Sequence, residues 1–181
     1  MRYEWLIATA CAVMGWCSTA ILLAAEPRAD EAAAVATVER LGGSVTFDAD
    51  GHVTGIALGN RPTTDSDLGA FAGLKRLESL EVWGAEITDV GMESIGRMQP
   101  LQKLVLENTD VTDEGAVELA RLANLRVLNL RRSSNLTDAA LEAVATIAGL
   151  EQLILLYNNF TDAGLAHLAP LGRLRVLDLR G

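Results

Sequence analysis

A hydroxyl residue stands directly before a carboxylate at Thr64-Asp65, Thr88-Asp89, Thr112-Asp113, Thr137-Asp138 and Thr161-Asp162. Such pairs can serve nucleophilic or acid–base chemistry, but only with a base held within hydrogen-bond reach. The chain has two histidines, His52 and His167, and they fall far apart in the pattern described below. A structural use fits all five pairs equally: Thr and Asp accept hydrogen bonds from the free N–H groups of a helix's first turn, and negative charge there suits the dipole. Each pair therefore predicts a helix start. Asp48-Ala49-Asp50-Gly51 carries part of a calcium loop but lacks its later acidic ligands and terminal Glu, so a plain turn is expected. Gly42-Gly43, Gly91, Gly115 and Gly164 lack the lysine of a nucleotide loop and read as turn and close-packing residues. Both cysteines, Cys11 and Cys17, lie in the first twenty residues, which leaves the rest without thiol or disulfide chemistry. The expectation is a protein that is not an enzyme, with no catalytic set, metal site or cofactor.

The elements that carry these residues recur with a fixed period. Units of 24, 24, 25 and 24 residues run over 77–100, 101–124, 125–149 and 150–173, and the extra residue of the third falls within Ser133-Ser134-Asn135. A degenerate unit, 53–76, precedes them in register, and 174–181 opens another. Each begins with leucine or a close variant at the first, fourth and sixth places, as in Leu101, Leu104 and Leu106 or Leu125, Leu128 and Leu130. Alternation at the fourth and sixth places predicts a short strand with one buried face. After each Thr-Asp pair come apolar residues at helical spacing: Met92, Ile95 and Met98; Leu141, Val144 and Ile147; Leu165, Leu168 and Leu171. One unit is strand, turn, short helix, return.

This pattern resembles the leucine-rich-repeat family, in particular its α/β members such as the ribonuclease-inhibitor-like and bacterial GALA-type repeats. The clearest unit opens LQKLVLENTDVTDEG at residues 101–115, and the repeats cover about 70% of the chain. The resemblance implies an α/β solenoid, parallel strands inside and helices outside, that binds other proteins. Strand spacing near 4.8 Å against helix spacing of roughly 8–10 Å makes the strand face concave. The ninth place, commonly Asn in the family, is here Arg61, Ala85, Thr109, Ser133 or Ser134, and Asn158, so a continuous asparagine ladder is not expected.

Residues 1–25 form an address. Positions 6–25 carry no charge and reach roughly 30 Å as a helix, enough to cross a bilayer's hydrocarbon. Two readings stand, a cleavable signal peptide or an uncleaved membrane anchor, and both place the remainder outside the cytoplasm, secreted or periplasmic. Residues 26–52 are expected to cap the first repeat, with Ala34, Val35, Val38 and Leu41 on one face of a helix and a hairpin turning at Asp48 to Gly51. Residues 53–181 are the repeats, and no polar cap follows Leu179, as though the chain were truncated or completed by another chain. Charge is uneven. Residues 26–124 hold 8 basic and 18 acidic side chains, or −10, against 6 and 5, or +1, from 125 onward. With −9 overall, nucleic acid is not an expected partner.

The third, fifth and seventh places of each unit point to the concave side. They bring together Trp83, Val105, Val127, Ile154, Leu156 and Val176, with Glu81, Glu107, Asn129, Arg131, Asp178 and Arg180 among and around them. An apolar group with aromatic and Arg neighbours has the composition of a binding surface. A protein partner is expected there, with self-association through the C-terminal edge or a fragment of a larger protein as alternatives. Membrane contact is expected only through the N-terminal segment.

Overall fold

The computed structural model describes residues 28–180. The expected address lies outside them, and no helix among the described residues is long and apolar enough to cross a membrane. Seven strands form one sheet in sequence order: β1 (Ser44–Phe47), β2 (Val53–Pro62), β3 (Ser79–Trp83), β4 (Lys103–Glu107), β5 (Val127–Asn129), β6 (Gln152–Ile154) and β7 (Val176–Asp178). β1 pairs antiparallel with β2, and every later pair is parallel. Six helices alternate with them: α1 (Ala32–Leu41), α2 (Asp65–Phe71), α3 (Asp89–Ile95), α4 (Asp113–Ala116), α5 (Asp138–Ala145) and α6 (Asp162–Ala166). α4 continues as a tighter 3-10 turn over Val117–Arg121.

The repeat period becomes spatial register. Leu80, Leu104, Leu128, Leu153 and Leu177 are successive partners across the sheet, and the first four are fully buried. The helix residues predicted to face inward, including Met92, Ile95, Met98, Leu141 and Val144, close the core from the other side. Each such side chain contributes about 1.5–3 kcal/mol by leaving water. Leu177 and Leu179 hold core places yet are 42% and 44% exposed, because no strand pairs beyond β7 among the described residues.

Before the repeats, α1 buries Ala34, Val35 and Val38 in the same core. Glu31 precedes it and is itself buried; its carboxylate accepts from the Val53 N–H at 2.6 Å and lies 3.1 Å from His52 Nδ1. The hairpin turn is held by Arg76, whose Nη1 meets Asp48 at 2.6 Å and Asp50 at 3.0 Å. The Asp48 carboxylate also accepts from the N–H groups of Asp50 and His52, both at 2.9 Å. β2 departs from the simple repeat, since Ala57 pairs with Glu81 but Pro62 pairs with Trp83, a shift absorbed at Gly59, where φ is +53°. Arg61 is therefore no ninth-place residue, contrary to its position in the repeat count. It is exposed in the bulge.

Candidate functional site

The Thr-Asp pairs divide their labour between repeats. Thr64, Thr88, Thr112, Thr137 and Thr161 are all helix N-caps, each hydroxyl accepting from a first-turn N–H. Four of the aspartates do something that local spacing did not reveal. Asp65 accepts from the N–H and hydroxyl of Thr88 in the next repeat, Asp89 from Thr112, Asp113 from Thr137 and Asp138 from Thr161, with distances of 2.5–2.9 Å. Each of these four hydroxyls thus accepts from its own helix and donates to the previous repeat. Three of the donating threonines, Thr88, Thr112 and Thr161, are followed three residues later by a glycine that sits under this ladder. A methyl on Gly91, Gly115 or Gly164 would overlap the Oδ1 of Asp65, Asp89 or Asp138.

Charge responds at the last rung of the ladder. The Thr161 hydroxyl, then its N–H, hold the Asp138 carboxyl below its ordinary 3.8. The His52 N–H and then Arg76 lower Asp48, and Arg180 lowers Asp178. A carboxyl that titrates lower folded than unfolded adds stability above the unfolded value, and that contribution is lost as pH falls through the folded one. The urea midpoint should hold steady down to about pH 5 and decline below about pH 4. Asp138→Asn should flatten part of that decline, and an unchanged acid profile would contradict the ladder.

The ninth places form a mixed relay. Asn158 accepts from the Ser133 N–H at 2.8 Å and donates to the Leu130 carbonyl at 2.8 Å, and Ser133 in turn shares a 3.1 Å hydroxyl pair with Thr109. Ser133, rather than Ser134, is the residue in register. One asparagine, a serine and a threonine thus share the role along these turns.

On the strand face, register sets out rows. Ser79, Lys103, Val127, Gln152 and Val176 make one, and Glu81, Val105, Asn129, Ile154 and Asp178 the next. In a third, Trp83 is directly opposite Glu107. Apolar residues consequently meet along diagonals rather than as an unbroken stripe. Trp83, Val127, Ile154 and Leu156 are partly exposed, and Val176 is 45% exposed. Val105 differs from expectation. It is only 9% exposed, flanked in register by the longer Glu81 and Asn129, and so offers little free surface. The charged residues pair among themselves: Lys103 with Glu81 at 4.0 Å, both Arg131 and Arg132 with Glu107 at 3.5 and 3.3 Å, and Arg180 with Asp178 at 2.7 Å. Asn129 fixes the backbone by accepting from the Arg131 N–H at 3.0 Å.

Arg132 and Tyr157 carry a signal not drawn from the sequence. Both guanidinium carbons, of Arg131 and Arg132, lie over the Tyr157 ring, 5.6 and 5.3 Å from its centre. At the opposite edge of the sheet, a polar groove of about 430 Å³ is bordered by Glu78, Gln102, Arg126 and Arg173. The histidines stay apart, His52 on Glu31 and His167 3.7 Å from Glu142. No cluster of three metal-ligating side chains occurs among the described residues.

The family model described as Leucine Rich repeat matches residues 97–120, one repeat's length. The chain thus contains a leucine-rich repeat. No curated protein sequence matches it significantly. Its fold is similar to that of an internalin from Listeria monocytogenes, with 24% identity and a TM-score of 0.59 over 71% of this chain and 35% of that one. It is also similar to the Arabidopsis receptor kinase HAESA, solved in complex with the peptide hormone IDA and the co-receptor SERK1, with 16% identity and a TM-score of 0.52 over 84% and 33%. The chain thus spans about a third of the length of either structure. At these identities the likeness establishes the curved α/β solenoid and leaves the partner to be argued from the residues.

Proposed function

We propose that the protein is a non-enzymatic, extracytoplasmic binding module that docks a protein partner on its concave strand face. Partly exposed apolar side chains on an uncovered sheet face carry this reading, with Trp83, Val127, Ile154, Leu156 and Val176 as the contact surface. Glu81, Glu107, Asn129, Arg131, Asp178 and Arg180 supply its polar border, and Val105 contributes mainly support. The uncharged segment 6–25 favours export. HAESA, of similar fold, was solved with a peptide hormone and a co-receptor, which is consistent with a protein or peptide ligand.

Trp83 provides the test. With Trp5 and Trp16 replaced by Phe, its emission should shift to the blue when a captured partner docks and expels water from the indole. Trp83→Ala with Ile154→Ala should weaken capture by about a hundredfold, or about 3 kcal/mol, while leaving the melting temperature nearly unchanged. Normal capture accompanied by a large loss of stability would assign Trp83 to packing and defeat the proposal. A second reading has its own observation: Leu177 and Leu179 are exposed at a strand edge to which another copy could add a strand. It requires a molecular mass that rises with concentration in sedimentation equilibrium.

A further inference from the structure

The eighth place of each repeat, just beyond the strand, has left-handed backbone: φ is +134° at Gly84, +56° at Asn108, +58° at Arg132 and +59° at Tyr157. An inter-repeat hydrogen bond imposes it each time, from the N–H of Gly84 to the Glu107 carbonyl, of Asn108 to Arg131, of Arg132 to Leu156 and of Tyr157 to Arg180. Gly and Asn accept this conformation readily, whereas Arg and Tyr are strained in it. Arg132 and Tyr157 gain no burial in return. Both are exposed, Tyr157 at 54%. The backbone holds an aromatic ring and a guanidinium out on a ridge beside the concave face, at a place where less costly residues serve in the two preceding repeats.

The ridge also carries unbalanced charge. Arg131 and Arg132 share a single carboxylate, the largely covered Glu107, while Arg180 has Asp178 to itself. One positive charge is left over beside a cap and repeats whose side chains together sum to −10 from residue 26 to 124. An extended polyanion such as nucleic acid would run onto that acidic surface. A short acidic segment would not. Tyr and Arg are also the residue types enriched at binding hot spots.

Resting on the concave-face reading, we infer that Arg132, Arg131 and Tyr157 form the docking point for a short acidic peptide segment of the partner. A carboxylate takes the exposed guanidinium of Arg132, and a neighbouring apolar side chain lies on Ile154 and Leu156. Strained ridge backbone supports this arrangement by presenting the charge without occupying the face itself.

The probe is a phage-displayed library of random peptides panned on the immobilised full chain. Enriched peptides should carry an excess of Asp and Glu, and a synthetic winner should bind about tenfold or more weakly to Arg132→Glu and to Tyr157→Gly. Arg132→Lys should retain binding, and panning on Arg131→Glu/Arg132→Glu should turn the selection toward basic peptides. Tyr157→Gly relieves the backbone, so its melting temperature should equal or exceed that of the parent; if it does not fold, the Arg132→Glu and Arg132→Lys pair decides. No enrichment, a pool without acidic bias, or acidic peptides indifferent to Arg132 overturns the inference. Peptides that need Trp83 and Ile154 but not Arg132 would leave the concave-face reading standing and this inference refuted. Dependence on Arg132 and Tyr157 with indifference to Trp83, Ile154 and Leu156 would overturn both, placing the ligand on the ridge alone.

Discussion

Leu128→Asp should leave the chain unfolded at room temperature. Leu128 is fully buried and lies in register between Leu104 and Leu153, so an aspartate there has no water and no cation to meet its charge. Removing the leucine costs about 2–5 kcal/mol, and burying an unpaired polar group adds several more. A domain's whole stability is about 5–15 kcal/mol. Glu142→Ala, on the exposed side of α5, should change stability by no more than about 0.5 kcal/mol. Circular dichroism melts compare the two, and coincident curves would mean that the strand register is misassigned.

The second large effect belongs to the ladder between repeats. Asp89→Ala deprives the Thr112 N–H and hydroxyl of their 2.8 Å acceptor, which should cost about 2–3 kcal/mol. Gly115→Ala should cost about 1–3 kcal/mol, because its methyl would overlap Asp89 Oδ1. Combined, the two should cost clearly less than their sum, since shortening Asp89 makes room for the methyl. Ala140 sets the scale for how far the backbone can yield. It takes the glycine's place beside Asp113 in the repeat whose turn is one residue longer, and Asp113 still reaches Thr137 at 2.8 and 2.5 Å. Additive urea midpoints would show that the aspartate and the glycine are not coupled.

Much of this architecture could be read from leucine spacing, because the fourth and sixth places repeat in three dimensions as Leu104 beside Leu128 beside Leu153. The Thr caps were equally legible, since an N-cap is a local event. What escaped notice depends on contacts across repeats. Nothing adjacent to Asp89 distinguishes a carboxylate that caps its own helix from one that receives the next repeat's threonine. Val105 has the same β-branched form as Val127, and only its neighbours Glu81 and Asn129 close it off. Tyr157 and Arg132 differ in type from Gly84 and Asn108, so that their shared left-handed turn was hidden until the backbone was seen. Arg61 was misplaced because a bulge in β2 breaks the count that holds everywhere after it.

The Asp-to-Thr contact also works as a plug and socket. Every junction from Asp65 to Thr161 offers a carboxylate on one side and an N–H with a hydroxyl on the other, always in the same order. Excising residues 101–124 would set Asp89 opposite Thr137 with the same chemistry on both sides of the seam. The binding face could therefore be lengthened or shortened by whole units through duplication or loss of a stretch of coding sequence, with no junction needing to be reinvented.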